Sequence, residues 1–86
     1  MAMNEHTART PHMIGAVIRR IRKQRRLNQT ELGDIAALRQ ETISMIENGQ
    51  SSTRIETVLR VLAVLDLEFI IIPRRKFGPD WVDEVF

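Results

Sequence analysis

Apolar residues recur along this chain of 86 residues at intervals of three and four, and each change of register marks a new short helix. Ile14, Val17, Ile18 and Ile21 form the first stripe. Thr10 followed by Pro11 supplies its N-cap and first helical position, since proline has no N–H to lose there and its φ is preset. This helix should end near Arg25 or Arg26. Asn28, with Glu31 three residues later, resembles a capping box and predicts a second helix from Gln29, turning Leu32, Ile35 and Ala36 inward. A third pattern, Ile43 with Ile46, begins soon after Leu38, so a tight turn must fall around Ala37 to Arg39. Gly49 after Asn48 offers a left-handed stop. Thr53 and Glu56 then read as another capping box, followed by Ile55, Val58, Leu59, Leu62 and Leu65 on one face. Val61 and Val64 widen that apolar surface beyond what one small core needs, so both are assigned to contact with a second chain.

The period changes at Glu68. Phe69 to Ile72 are β-branched or aromatic and are closed by Pro73, which predicts a strand with Phe69 and Ile71 on one side and Ile70 and Ile72 on the other. No second strand is legible, so its expected partner is the same strand of another subunit. At the end of the chain Trp81, Val82, Val85 and Phe86 make a short apolar stripe that is too brief to persist alone in water and is expected to bind a partner. The expected organisation is a leader over 1–10, a helical domain over 11–66, a dimerisation strand and basic end over 67–76, and a mobile tail over 77–86.

Composition narrows the chemistry. A chain of this length holds one domain, and 43% hydrophobic with 28% charged residues is a globular balance. No apolar run approaches the ~20 residues that cross a bilayer, and the polar start is unlike a signal peptide. A cytoplasmic, nucleoid-associated protein is expected. The absence of cysteine removes thiolate metal sites and thiol nucleophiles, and His6 and His12 lie in the polar leader with few carboxylates near, so no metal and no cofactor are expected. Without a glycine-rich phosphate loop or a nucleophile and base pair, an enzyme is not expected either. The net charge is only +2, yet Arg19, Arg20, Arg22, Lys23, Arg25 and Arg26 put six positive charges within eight residues. Such a block concentrates polyanions at the surface.

Two short helices joined by a tight turn, with Leu27-Asn28-Gln29-Thr30-Glu31-Leu32 opening one and Thr42-Ile43-Ser44-x-Ile46-Glu47-Asn48-Gly49 closing the next, resemble the phage-repressor or XRE-type helix-turn-helix over roughly residues 13 to 65. The strand after the fourth helix and the acidic, Trp-containing end further resemble HipB-type antitoxins, which partner kinase-like toxins. The resemblance implies a mainly α, lambda-repressor-like bundle whose C-terminal β-strand pairs across a homodimer, with Val61, Val64, Phe69, Ile70, Ile71 and Ile72 in the interface.

It also implies roles for individual side chains. Arg39, Gln40, Glu41, Thr42, Ser44 and Met45 would read bases from the major groove. Gln40 suits adenine because its amide donates and accepts at once, and Thr42 and Met45 suit a thymine methyl. Glu41 accepts from cytosine but repels phosphate, while Arg39 stands where relatives often carry a Ser or Thr cap. Asn28, Gln29, Asn48 and Ser51 would hold phosphates, and Arg22 with Glu47 would form a structural salt bridge between the first and third helices. Trp81, Val82, Val85 and Phe86 would contact the toxin. The function implied is a repressor on a palindromic double-stranded operator and the antitoxin of a kinase-type toxin. A stand-alone phage-type repressor, or an interaction adaptor without DNA binding, are the alternatives.

Overall fold

The computed structural model describes residues 6–50 and 52–74. Four helices follow in order: α1 (Pro11–Gln24), α2 (Gln29–Ala36), α3 (Gln40–Glu47) and α4 (Ile55–Val64). The Thr10 hydroxyl accepts the Met13 N–H at 3.1 Å and caps α1. Asn28 and Glu31 form a reciprocal capping box at α2, with the Glu31 N–H donating to Asn28 Oδ1 at 2.7 Å and the Asn28 N–H donating to Glu31 Oε1 at 2.9 Å.

All four helices end in the same way. A residue in the left-handed region stops each one: Arg26, Ala37, Gly49 and Asp66, with φ between 58° and 75°. The N–H of the next residue then reaches back to a carbonyl in the last turn, as Leu27 to Arg22, Leu38 to Gly33, Gln50 to Met45 and Leu67 to Leu62. Leu27, Leu38 and Leu67 at this position pack on the core, so the stop is fastened by apolar burial as well as by hydrogen bonds. Only Gly49 advertised its stop in the sequence, because the other three are not glycine.

The core is built by Ile18 and Ile21 of α1, Leu32 of α2, Ile43 and Ile46 of α3, and Val61, Leu62 and Leu65 at the end of α4. Each fully buried aliphatic side chain stabilises the fold by about 1.5–3 kcal/mol. Four sequence expectations change here. Val61 is 0% exposed within its own chain and leaves the dimer-interface set, while Val64 is half-buried against the same core. The inward face of α4 is Val58, Val61, Leu62 and Leu65, a rotation that leaves Ile55 and Leu59 exposed. Ile35 is likewise 60% exposed, because an eight-residue α2 turns Leu32 and Ala36, one turn apart, toward the core. The Thr53–Glu56 capping box does not form: Arg54 occupies the N-cap with no side-chain cap bond, and Glu56 pairs with Arg54 instead.

The expected strand over 69–72 has no sheet partner among the described residues. Phe69, Ile70, Ile71 and Ile72 are all exposed, Ile71 to 89%. One chain supplies a single extended apolar segment, and a ladder needs two.

Candidate nucleic-acid interface

α2 and α3 pack against each other across the Ala37 turn, and α1 crosses behind α3. Ile43 and Ile46 of α3 are buried, and Glu47 beside them is 6% exposed. Successive residues of a helix turn by about 100°, so Glu41, Ser44, Met45 and Asn48 occupy the opposite side, and Gln40, two turns before Glu47, stands at the edge between the two. Gln40, Glu41, Met45 and Asn48 are exposed and Ser44 is half-buried. Thr42 belongs to a different face. It is half-buried on the flank of Ile46, across the helix from Ser44, and the structure does not bring it together with the other five. Arg39 is exposed at the N-cap and makes no cap bond.

A buried polar chain fixes this helix in place. Arg22 of α1 donates to both carboxylate oxygens of Glu47, Nε to Oε2 at 2.6 Å and Nη2 to Oε1 at 3.0 Å, and its Nη1 donates to the Leu27 carbonyl at 2.8 Å. The two side chains are 8% and 2% exposed. The Glu47 hydrogen bond, aided by its charge and opposed by burial, raises the Arg22 guanidinium above its ordinary value. Gln29 Nε2 donates to Glu47 Oε1 at 3.1 Å, and Gln40 Nε2 donates to Gln29 Oε1 at 2.6 Å.

The order of these bonds dictates how both amides point. A carboxylate only accepts, so Gln29 must turn its nitrogen to Glu47 and its oxygen toward Gln40. Gln40 must therefore turn its nitrogen to Gln29. That leaves Gln40 Oε1 and one N–H for another partner, the donor and acceptor pair that an adenine edge requires.

The sequence points Gln29 to phosphate and does not by itself reveal this linkage. The available signal was the position of Gln29 and Gln40 at the first residue of two helices that a tight turn holds side by side.

Asn28 commits its side-chain oxygen to the α2 cap and retains its amide hydrogens for other partners. Asn48 Nδ2 donates weakly to Ser44 Oγ at 3.4 Å and is exposed at the end of α3. Ser51 and the residues Trp81, Val82, Val85 and Phe86 lie outside the described residues. Of the basic block, Arg22 is consumed by Glu47 and Arg25 pairs with Asp66 at 3.2 Å on the surface. Arg19, Arg20, Lys23 and Arg26 are exposed.

The paired short helices, the left-handed turn between them and the exposed polar row on the second define a helix-turn-helix protein. Residues 18–72 match the helix-turn-helix family, more than half of the chain, and the protein belongs to that family. It is 32% identical over 75 residues to an uncharacterized HTH-type transcriptional regulator of Haemophilus influenzae, covering 84% of this chain and 76% of the relative. It is 37% identical over 71 residues to an uncharacterized HTH-type transcriptional regulator, y4mF, of Sinorhizobium fredii, covering 79% and 93%. Among solved structures it is similar in fold to a chain of a HipA-HipB-O2-O3 complex, with a TM-score of 0.75 at 24% identity over 83% of this chain and 100% of that one. It is also similar to a chain of a HipB-O1-O2 complex, with a TM-score of 0.72 at 25% identity over 79% and 99%. Among the described residues no helix is long and apolar enough to cross a membrane.

Proposed function

We propose that this protein is a sequence-specific DNA-binding repressor that acts as a homodimer on a palindromic operator and serves as the antitoxin of a kinase-type toxin. The observation that carries the DNA reading is the exposed row Gln40, Glu41, Ser44, Met45 and Asn48 on a helix whose reverse side is locked into the core. A major groove about 12 Å wide admits such a helix. The rigid back matters as much as the polar front, because base edges discriminate only when donors and acceptors arrive in a held geometry. In this reading Arg39 and Gln40 enter first, Gln40 meets adenine with its pre-turned amide, and Glu41 accepts from cytosine. Asn28, Gln29 and Asn48 hold the backbone on either side, through the N-terminal end of α2 and the C-terminal end of α3.

The antitoxin reading draws on the likeness to HipB chains, one of them in a complex with HipA. Sequence features add to it: the apolar segment 69–72 supplies a pairing strand for a second copy, and the aromatic residues of 77–86 suit a partner's pocket. A stand-alone repressor would have the same operator surface and no toxin partner.

Gln40→Ala tests the DNA reading. The variant should lose about 1–3 kcal/mol on its cognate duplex and little on random sequence. Equal losses on both, measured by anisotropy titration at fixed salt, would remove Gln40 from base recognition.

The dimer reading has its own test in Ile71→Lys. Four consecutive exposed apolar side chains in one chain need cover, and pairing two copies edge to edge provides it. The substitution should raise the dimer dissociation constant by an order of magnitude or more, since a charge in a desolvated ladder costs at least ~1.4 kcal/mol. Sedimentation equilibrium with an unchanged dimer constant would assign the segment another purpose.

A further inference from the structure

The exposed cations of α1 have no role in base reading, but their position on the helix is not arbitrary. His12, Arg19 and Lys23 recur at helical spacing on one side of α1, and with Arg20 they line a shallow groove whose far wall is Glu47 and Asn48 at the end of α3. The edge of α1 that meets α3 is held from two points. Gly15 lies against the backbone carbonyls of Ile46 and Glu47, and Arg22 grips the Glu47 carboxylate. Arg19 stands one turn beyond Gly15 and one turn before Arg22, beside the last turn of α3.

Among the described residues the charge of this groove is unopposed. Its one carboxylate, Glu47, has both oxygens bound by Arg22 and one of them also by Gln29. Arg20 contacts His6 Nδ1, a partner that brings no negative charge. Among the described residues Arg19 and Lys23 have no ion-pair partner. Two free cations therefore sit next to Asn48, the last residue of the polar row.

We infer that Arg19 and Lys23, with Asn48, form a phosphate-binding track that extends the DNA contact beyond the bases read by α3. This rests on the DNA reading proposed above. A recognition helix presents its N-terminal residues to base edges, so its C-terminal end approaches the groove wall, where the phosphodiester backbone runs. The track continues that end of α3 onto α1. It positions the protein on the duplex and carries no sequence preference of its own.

The experiment uses the full chain, a duplex selected by the wild-type protein from a randomised 30-mer library, and a random duplex of equal length. Binding is measured by anisotropy between 50 and 200 mM KCl. Arg19→Gln with Lys23→Gln should lower the slope of log affinity against log salt by about 2, so that over this interval the wild type loses about tenfold more affinity than the variant. Both duplexes should show the change.

Arg25→Gln with Arg60→Gln removes the same charge elsewhere, from a side chain already paired with Asp66 and from the exposed side of α4. This control should change the slope by less than half as much. A wild-type slope in the Arg19 and Lys23 variant, or an equal drop in the control, overturns the track. Neither result touches the DNA reading, which fails separately if the wild-type protein binds the selected and the random duplex equally. All four substituted side chains are exposed, and an unchanged melting curve verifies the fold of each variant.

Discussion

Glu47→Ala should destabilise the protein by about 3–5 kcal/mol, because it leaves the Arg22 guanidinium buried without its counter-charge. Arg22 is 7% exposed and cannot swing into water without opening the contact between α1 and α3. A domain of this size has a total stability on the order of 5–10 kcal/mol, so the loss would bring it close to unfolding at body temperature. Urea denaturation provides the measurement, and a midpoint shift equivalent to less than about 1 kcal/mol would show that water replaces the carboxylate.

A second variant separates charge burial from orientation. Replacing both partners with apolar residues, Arg22→Met with Glu47→Leu, should recover most of the lost stability, since a buried ion pair is often no better than well-packed hydrophobic side chains. Operator discrimination should not recover with it. Without the carboxylate nothing compels Gln29 to present its oxygen to Gln40, and the Gln40 amide is free to rotate. Stability and specificity are thus held by the same pair through different atoms.

Gly15→Leu should cost about 3 kcal/mol, the upper part of the range for overpacking a filled interior. A Cβ at this position would stand 2.6 Å from the Glu47 carbonyl oxygen and nearer still to that of Ile46. Both obstacles are backbone atoms of α3, which cannot move aside as a flexible side chain would. The smaller Gly15→Ala tests the sign. Alanine gains about 1 kcal/mol of helix propensity over glycine inside α1, and the clash should exceed that gain. A urea midpoint at or above that of the wild type would mean that α1 and α3 separate without penalty. Where α1 is pushed away, Arg22 and Arg19 retreat from Glu47 and Asn48 together, so DNA affinity should fall along with stability.

These two sites differ in how much of them the linear sequence carries. The pairing of Arg22 with Glu47 is legible in the sequence because the motif around Ile43-Ser44-x-Ile46-Glu47-Asn48-Gly49 resembles a known family. Gly15 was not singled out, since a glycine within a helical stripe looks like a weak point until the neighbouring backbone is seen to lie against it.

Local signals were sufficient wherever the cause is local. Thr10-Pro11 and the Asn28–Glu31 box start α1 and α2 where the chain alone says they should, because caps act over three or four residues. Gly49 ends α3 for a similarly local reason, its tolerance of positive φ. The polar row of α3 was legible too, once Ile43 and Ile46 marked the buried side. Tertiary structure decided the rest. Seven apolar residues in α4 make a stripe too wide for period alone to say which part faces inward, and packing against α2 chose Val61 over Ile55 and Leu59. The left-handed stops at Arg26, Ala37 and Asp66 have no glycine to announce them and hold because Leu27, Leu38 and Leu67 gain burial just beyond. The Gln40–Gln29–Glu47–Arg22 chain spans three helices, and a hydrogen bond between residues distant in sequence exists only after the fold has brought them within 3 Å or so.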